Sequence, residues 1–314
     1  MTKVLLYWNH ICILHNMEKK YLETVKQALL AKGIDLTIRF FGLGYATHMS
    51  EYLLQAEAEM PDFIISADLE VFEMASIFQK LGELHPCESW MPLKKASVVQ
   101  ALRRKPTLFP FVGIPLVCYT NDKDHCQGKT LAQMAQTKGF AFGGINNSAG
   151  KTLVKVAMEK YGEKTAKNLL ENASVYDMPI VAFQAVRTMQ ATTAIVPSLY
   201  ALRADEKNTF LLPLQEGTFF IPSYFCARTS VRVEIAKTVM ETIISPTLCQ
   251  TYQTQGDLLI CPDIKTEEPT TKHIDDRYCV SSQGFLDALS PEKFYRLYTG
   301  ALTKAKNLHT LSEM

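Results

Sequence analysis

One stretch of the 314-residue chain combines the residue types that bind anions. Phe140-Ala-Phe-Gly-Gly144-Ile-Asn146-Asn147-Ser148-Ala-Gly150-Lys151-Thr152 has the pattern of a strand, a small polar loop and a helix start. The first turn of a helix carries backbone N–H groups without intrahelical partners and the positive end of the helix dipole. Such a junction can hold an anion, with Ser148 as cap and hydroxyl donor; an ordinary capped turn is the other reading of the same residues. It is not a nucleotide loop. A phosphate-binding loop needs four residues between its first glycine and the Gly-Lys-Thr, whereas five separate Gly144 from Gly150, and the other Gly-Lys-Thr, at 128–130, has Lys123 where the glycine should be.

The remaining reactive residues form weaker patterns. His10-x-Cys12-x-x-His15 groups soft donors without the spacing of a specific metal site. Asp68 follows an apolar run and suits a helix cap better than an acid catalyst. The chain has no Gly-x-Ser-x-Gly elbow, no His-Glu-x-x-His and no Gly-x-Gly-x-x-Gly at a strand-helix junction. Eight cysteines include no Cys-x-x-Cys, and many sit in apolar runs such as Leu116-Val117-Cys118-Tyr119, so they read as buried reduced thiols. No cofactor and no bound metal are expected.

The elements that must position these residues alternate strand and helix. Lys3–Trp8, Asp35–Phe41 and Asp62–Ser66 carry strand signals; Met17–Lys32, Thr47–Glu59 and a helix capped by Asp68 through Leu81 follow them in turn. Three such units imply a parallel sheet covered by helices. Pro86, Pro92, Pro106 and Pro110 interrupt the pattern before Gly113–Tyr119 opens a second set. This set has a short helix after Thr130, a strand at Phe140–Phe142, a long helix opened by Ser148, a strand at Thr192–Val196, and two short strands around Phe219 and Phe225. Helices over Ser230–Ile244 and Pro291–Lys306 complete it.

Length and composition agree with two lobes. A chain of 314 residues is about twice a usual domain, 47% hydrophobic and 21% charged residues describe a globular protein, and Lys+Arg 33 against Asp+Glu 32 gives nucleic acid or an acidic membrane nothing to recognise. No apolar run approaches the roughly 20 residues of a membrane span, and the N-terminus shows no export signal. A cytoplasmic location is expected for the chain as it stands, or an extracytoplasmic one if a signal has been removed.

The order of landmarks resembles the class II periplasmic solute-binding proteins of ABC transporters, near the ferric-iron binding branch. The landmarks are Val4-Leu-Leu-Tyr-Trp-Asn-His10, Pro61-Asp-Phe-Ile-Ile-Ser-Ala-Asp68, Gly113-Ile-Pro-Leu-Val-Cys-Tyr119, Gly143 to Gly150 with Tyr161-Gly162-Glu163, Pro213-Leu-Gln-Glu-Gly217, and Ala236 with Ile243-Ile-Ser245-Pro. They run from about residue 3 to 262. The resemblance implies an α/β fold of two lobes joined by two crossing strands near Val112–Tyr119 and Phe210–Gly217. Residues 1–111 and 216–284 would form the first lobe, 112–215 the second, and 285–314 a C-terminal helix packing on them. It further implies a monomer with no chemistry of its own, which captures a small, anionic ligand by hinge closure and delivers it to an ABC permease. Beyond the carboxyl ends of strands, the ligand would meet Asn9, His10, Ala67, Asp68, Thr120, Asn121, Asn146, Asn147 and Ser148, with Tyr200 standing where iron-binding relatives carry adjacent tyrosines. One tyrosine in Ile195–Ala201 departs from that ferric pattern. A transferase or lyase on the same scaffold and a cytoplasmic ligand sensor are the alternative functions.

Overall fold

The computed structural model describes residues 1–42, 45, 47–144, 147–205, 207–266 and 277–312, with the backbone alone at Cys12 and 303–312. The chain divides into two compact units, Met1–Gly113 with Pro222–Thr271 and Ile114–Ile221 with Lys272–Met314.

The first unit begins with β1 (Thr2–Asn9), a helix at His15–Leu30, β2 (Ile34–Phe41) and β3 (Phe63–Ser66). β1 pairs in parallel with β2, Leu6 facing Ile38, and with β3, Leu6 facing Phe63. The 15–30 helix covers the sheet because Leu22, Val25 and Leu29 recur on one stripe, and all three are buried. The expected 47–59 helix shortens to Met49–Leu54. The helix expected through Leu81 breaks into the short pieces Glu70–Glu73 and Ala75–Phe78 and a 3₁₀ turn at Gln79–Leu81. Tyr7, Phe41, Met49, Leu53, Ile64, Val71, Phe72, Ile77 and Tyr224 form the apolar core on that side.

Two long strands straddle the unit boundaries. β4 (Phe109–Thr120) and β9 (Thr218–Ala227) are buried along their entire lengths, as their near-continuous apolar sequences require. β9 replaces the two short strands expected around Phe219 and Phe225: the chain runs extended straight through Pro222. Its second half pairs antiparallel with β3 in the first unit, Ile64 facing Cys226.

In the second unit, β5 (Phe140–Gly143) pairs in parallel with β6 (Ser174–Tyr176) and β7 (Thr193–Pro197). β7 and β8 (Phe210–Leu212) both pair antiparallel with the last residues of β4. β10 (Leu259–Ile260) pairs with Val112 and Gly113 in the first unit, and β11 (Tyr278–Cys279) runs parallel to Thr218 and Phe219 in the second. That last pairing explains a difference from the expected boundaries. Residues 216–221 and 277–284 go with the second unit, and so does the C-terminal helix Pro291–Ser312, while Val112 and Gly113 stay with the first. Helices at Glu163–Asn172, Pro179–Arg187 and Pro246–Gly256 had no counterpart in the sequence pattern. No helix among the described residues is long and apolar enough to cross a membrane.

Burial controls the titratable groups of this interior. It pushes the Tyr7, Tyr21 and Tyr161 hydroxyls up to about 12, with the neighbouring Glu216 carboxylate adding to the effect at Tyr161. It also pushes the Cys87 and Cys249 thiols up to about 12 and Cys279 to about 11. An unfolded tyrosine ionises near 10, so between pH 10 and 12 the native state binds more protons than the unfolded one, and stability must fall as pH rises through that window. Alkaline unfolding followed by circular dichroism is expected to show this loss, and Tyr161→Phe to reduce it. Alkylation at pH 8 should leave the peptides carrying Cys87 and Cys249 unlabelled in the native protein and label both in urea.

Candidate ligand-binding faces

In the first unit, β1, β2 and β3 all run in one direction, so Asn9, His10, Ala67 and Asp68 share the carboxyl edge of one sheet. The His10 N–H donates to the Phe41 carbonyl at 2.9 Å, which holds the loop after β1 against the end of β2. Gly42 (φ +106°) turns away there, and a Cβ on it would lie 3.1 Å from the His10 carbonyl.

His10 does not project as a solvated loop residue. Its side chain is fully buried, and Nδ1 lies 2.5 Å from Glu18 Oε2. The ring stacks on Phe40 at 4.8 Å between centroids, with Tyr45 at 5.8 Å. Glu18, also fully buried, accepts from the Ile11 N–H at 3.2 Å and from the Tyr252 hydroxyl at 2.6 Å. Burial, reinforced by the Glu18 charge, holds the Tyr252 hydroxyl well above its usual ionisation range. One carboxylate thus joins the β1 loop, the 15–30 helix and the 246–256 helix. Sequence reasoning missed Glu18, yet it lies four residues before Leu22 on the buried stripe of its helix, where an acidic residue stands out.

Asp68 is a cap, but of another helix: its carboxylate accepts from the Ser50 N–H at 3.0 Å, at the start of the 49–54 helix. Its own N–H donates to Ser66 Oγ at 2.9 Å. Ala67, between them, is nearly buried.

In the second unit the expected residues separate into two groups. β5 and β7 are parallel, Phe142 facing Ile195, so Asn147 and Ser148 after one strand and Tyr200 after the other lie at the same sheet edge. Thr120 and Asn121 do not join them. β4 runs antiparallel, with Leu116 facing Pro197 and Thr120 facing Thr193, so its carboxyl end lies at the opposite edge, about 13 Å away for four extended residues. Both are occupied structurally. The Asn121 Nδ2 donates to the Val186 and Ala191 carbonyls at 2.9 and 3.1 Å, and Thr120 Oγ1 lies 2.8 Å from Thr193 Oγ1. Tyr200 is buried with its ring stacked on Phe183 at 6.0 Å.

The cap of the 148–161 helix is Asn147, whose Oδ1 accepts from the Ala149 N–H at 2.9 Å, not Ser148, which is the first helical residue and nearly buried. Asn146 lies outside the described residues. The glycines of this stretch serve packing. Gly144 (φ +117°) has no room for a Cβ against Asn147, and its carbonyl accepts from the Tyr298 hydroxyl of the C-terminal helix at 2.9 Å. A Cβ on Gly150 would collide with that same hydroxyl. Lys155 places Nζ 4.9 Å from the Phe294 ring centroid, and Lys151 5.3 Å from that of Tyr295. The C-terminal helix therefore touches the first two turns of the 148–161 helix, which is buried at every position from Ser148 to Ala157, and packs mainly on the 163–172 helix. Glu216, in the Pro213–Gly217 landmark, accepts from the Leu131 N–H at 2.8 Å and the Tyr161 hydroxyl at 2.5 Å, and so supports the same unit from within.

No group of three or more His, Cys, Asp or Glu side chains able to hold a metal occurs among the described residues. No known family model and no curated protein matches the sequence. Solved structures do match the fold over nearly the whole of both chains. The apo ferric ion-binding protein A of Pasteurella haemolytica is 17% identical with a TM-score of 0.67, each chain covered to 98%. A periplasmic thiamin-binding protein is 13% identical, with a TM-score of 0.66 and 96% coverage of each chain. Iron-bound HitA from Pseudomonas aeruginosa is 15% identical with a TM-score of 0.61, covering 98% of this chain and 99% of its own. The chain has the type II periplasmic binding protein fold, the fold of class II solute-binding proteins.

The contact between Tyr298 and the glycines can be measured. Gly150→Ala should destabilise the protein by about 1–3 kcal/mol through overpacking, and Tyr298→Phe by about 1 kcal/mol through the lost hydrogen bond. Because the phenylalanine removes the atom that the new methyl group would strike, the double variant should cost less than the two single changes together. Urea unfolding of the four proteins reads the difference; strict additivity would show that the two residues do not meet.

Proposed function

We propose that the protein is the solute-binding component of an ABC-type uptake system, capturing a small anionic ligand by hinge closure and passing it to a permease. The observation that carries this reading is the likeness in fold, over 96–98% of this chain, to proteins named for binding ferric iron or thiamin. Two local features support it. Asn9, His10, Ala67 and Asp68 gather at the carboxyl ends of β1 and β3 in the first unit, and Asn147, Ser148 and Tyr200 at the carboxyl ends of β5 and β7 in the second, where open α/β sheets bind ligands. The two β strands that straddle the unit boundaries, at Gly113 and Ile221, give such a molecule its hinge positions.

The ligand class follows from the groups presented. The second unit presents the first turn of the 148–161 helix, whose backbone N–H groups and positive dipole end favour a negative charge, and this suits a ligand rich in acceptor oxygens. Thr120 and Asn121, held at the far edge of their sheet, take no part.

A thermal-shift screen of oxyanions, amino acids, sugars and ferric complexes, followed by small-angle scattering with the best hit, tests the reading. A ligand at a hundredfold excess over its dissociation constant should add about 2.7 kcal/mol of stability, a shift of a few degrees for a chain of this size, and should compact the molecule. Stabilisation without compaction argues against hinge capture. A probe chemically converted during incubation would replace the reading with an enzymatic one.

A further inference from the structure

We propose that Cys118 and Cys126 are a disulfide pair: when the chain folds under oxidising conditions, their thiols close into one bond that fastens the 122–129 turn to β4. The pair departs from the reading of the cysteines as reduced thiols, and it stands apart from the solute-binding function.

Cys118 lies on a face of β4 that the following chain covers. Side chains two apart on a strand share a face, so Thr120 stands beside Cys118. The chain after β4 doubles back over that face and is pinned to it at both ends. At the near end, the Asp122 N–H donates to Thr120 Oγ1 at 3.1 Å, and Asp122 caps the single-turn helix Lys123–Cys126 by accepting from the Asp124 N–H at 3.0 Å. His125 Nδ1 lies 2.8 Å from Oγ1 of Thr193, the β7 residue that faces Thr120. At the far end, β8 places Leu212 opposite Cys118, and three residues later the Gln215 N–H donates to the Lys129 carbonyl at 3.0 Å. Cys126 sits between these two anchors with no exposed surface, and its thiol meets that of the buried Cys118.

The two thiols are not equivalent. The contact with Cys118 brings the Cys126 thiol below its usual ionisation range, the Thr120 hydroxyl and the Lys129 charge adding to it against burial, while the same contact together with burial holds Cys118 well above. Cys126 is therefore the nucleophile. As a thiolate it attacks a small-molecule disulfide, such as glutathione disulfide, breaking that S–S bond, forming a mixed disulfide and releasing one glutathione. Cys118 then gives up its proton and attacks Cys126 Sγ, releasing the second glutathione. Two electrons pass from the protein to glutathione, the two thiol protons end on the two glutathione thiols, and one S–S bond replaces another. The turn that carries Cys126 lies at the surface, since Asp122, Lys123, Asp124, Gln127 and Gly128 are exposed, so the opening of one helical turn admits the oxidant.

The bond reaches beyond the turn. Gln215 also donates through Nε2 to the Gly128 carbonyl at 2.7 Å, and the neighbouring Glu216 accepts from the Leu131 N–H at 2.8 Å. Gln215 and Glu216 lead into β9, so fastening the turn to β4 also steadies the start of the second long strand.

The test uses full-length protein refolded from urea in a glutathione redox buffer and, in parallel, in excess reductant, then alkylated, digested with trypsin and mapped by mass spectrometry. Trypsin cuts after Lys123, between the two cysteines, so the bond is read as a cross-link between the peptides that carry them. The oxidised protein should show that cross-link, and it should unfold at a higher urea concentration than the reduced protein because the bond restricts the unfolded chain. Cys118→Ala and Cys126→Ala should each unfold at the same urea concentration under both conditions; if either fails to fold, the cross-link map of the native sequence decides alone. Cys118 and Cys126 both alkylated after oxidative refolding, or joined to other cysteines, overturn the proposal, and so does a cross-link between them that lowers the urea midpoint.

Discussion

A carboxylate with no exposed surface is tolerable only if the protein surrounds it with donors, and Glu18 imposes that condition on the first unit. Its partners come from three places in the chain: the loop after β1, the 15–30 helix that carries it, and Tyr252, 234 residues further on. Moving the β1 loop away from the 15–30 helix would break the buried His10–Glu18 contact, and moving the 246–256 helix away would remove the Tyr252 hydroxyl from the same carboxyl group. The arrangement therefore fixes the position of the Asn9-His10 loop more firmly than backbone pairing alone would, since His10 N–H has only the Phe41 carbonyl as its backbone partner. A loop held in this way would lose little freedom on meeting a ligand, which is how preorganisation raises affinity.

The second unit reaches the same end by steric means. Its candidate binding loop is set by glycines, and their reason for being glycine is the approach of Tyr298 and Asn147, not the approach of a phosphate. A hydroxyl on the C-terminal helix holds the Gly144 carbonyl, and aromatic rings of that helix cover Lys151 and Lys155. The final helix thus completes the second unit and shapes the first turn of the 148–161 helix from behind.

Much of this was legible in the sequence because it depends on local periodicity. The alternation of β1, the first helix and β2, the apolar run of β3 and the strand-loop-helix at 140–152 all follow from residue spacing. What was not legible depends on direction and distance. Thr120 and Asn121 have the composition of a ligand loop, but only the pairing of β4 with β7 reveals that they sit at the wrong edge. Asp68 has the character of a cap, yet nothing local says that it caps a helix 18 residues earlier. At Asn147-Ser148 two residues compete to cap one helix, and a shift of a single position decides between them. Glu18 lay in view as an acid on an apolar stripe; its meaning needed Tyr252, which no local window contains.

In the function proposed above, the ligand would touch residues of each unit. Hydrogen exchange measured by mass spectrometry, with and without one equivalent of the tightest ligand, addresses it directly. Slowed exchange is expected in two separate peptides together, one covering residues 9–14 and the other 147–152, with the same dependence on ligand concentration. Protection of only one of them, at saturation, would contradict it.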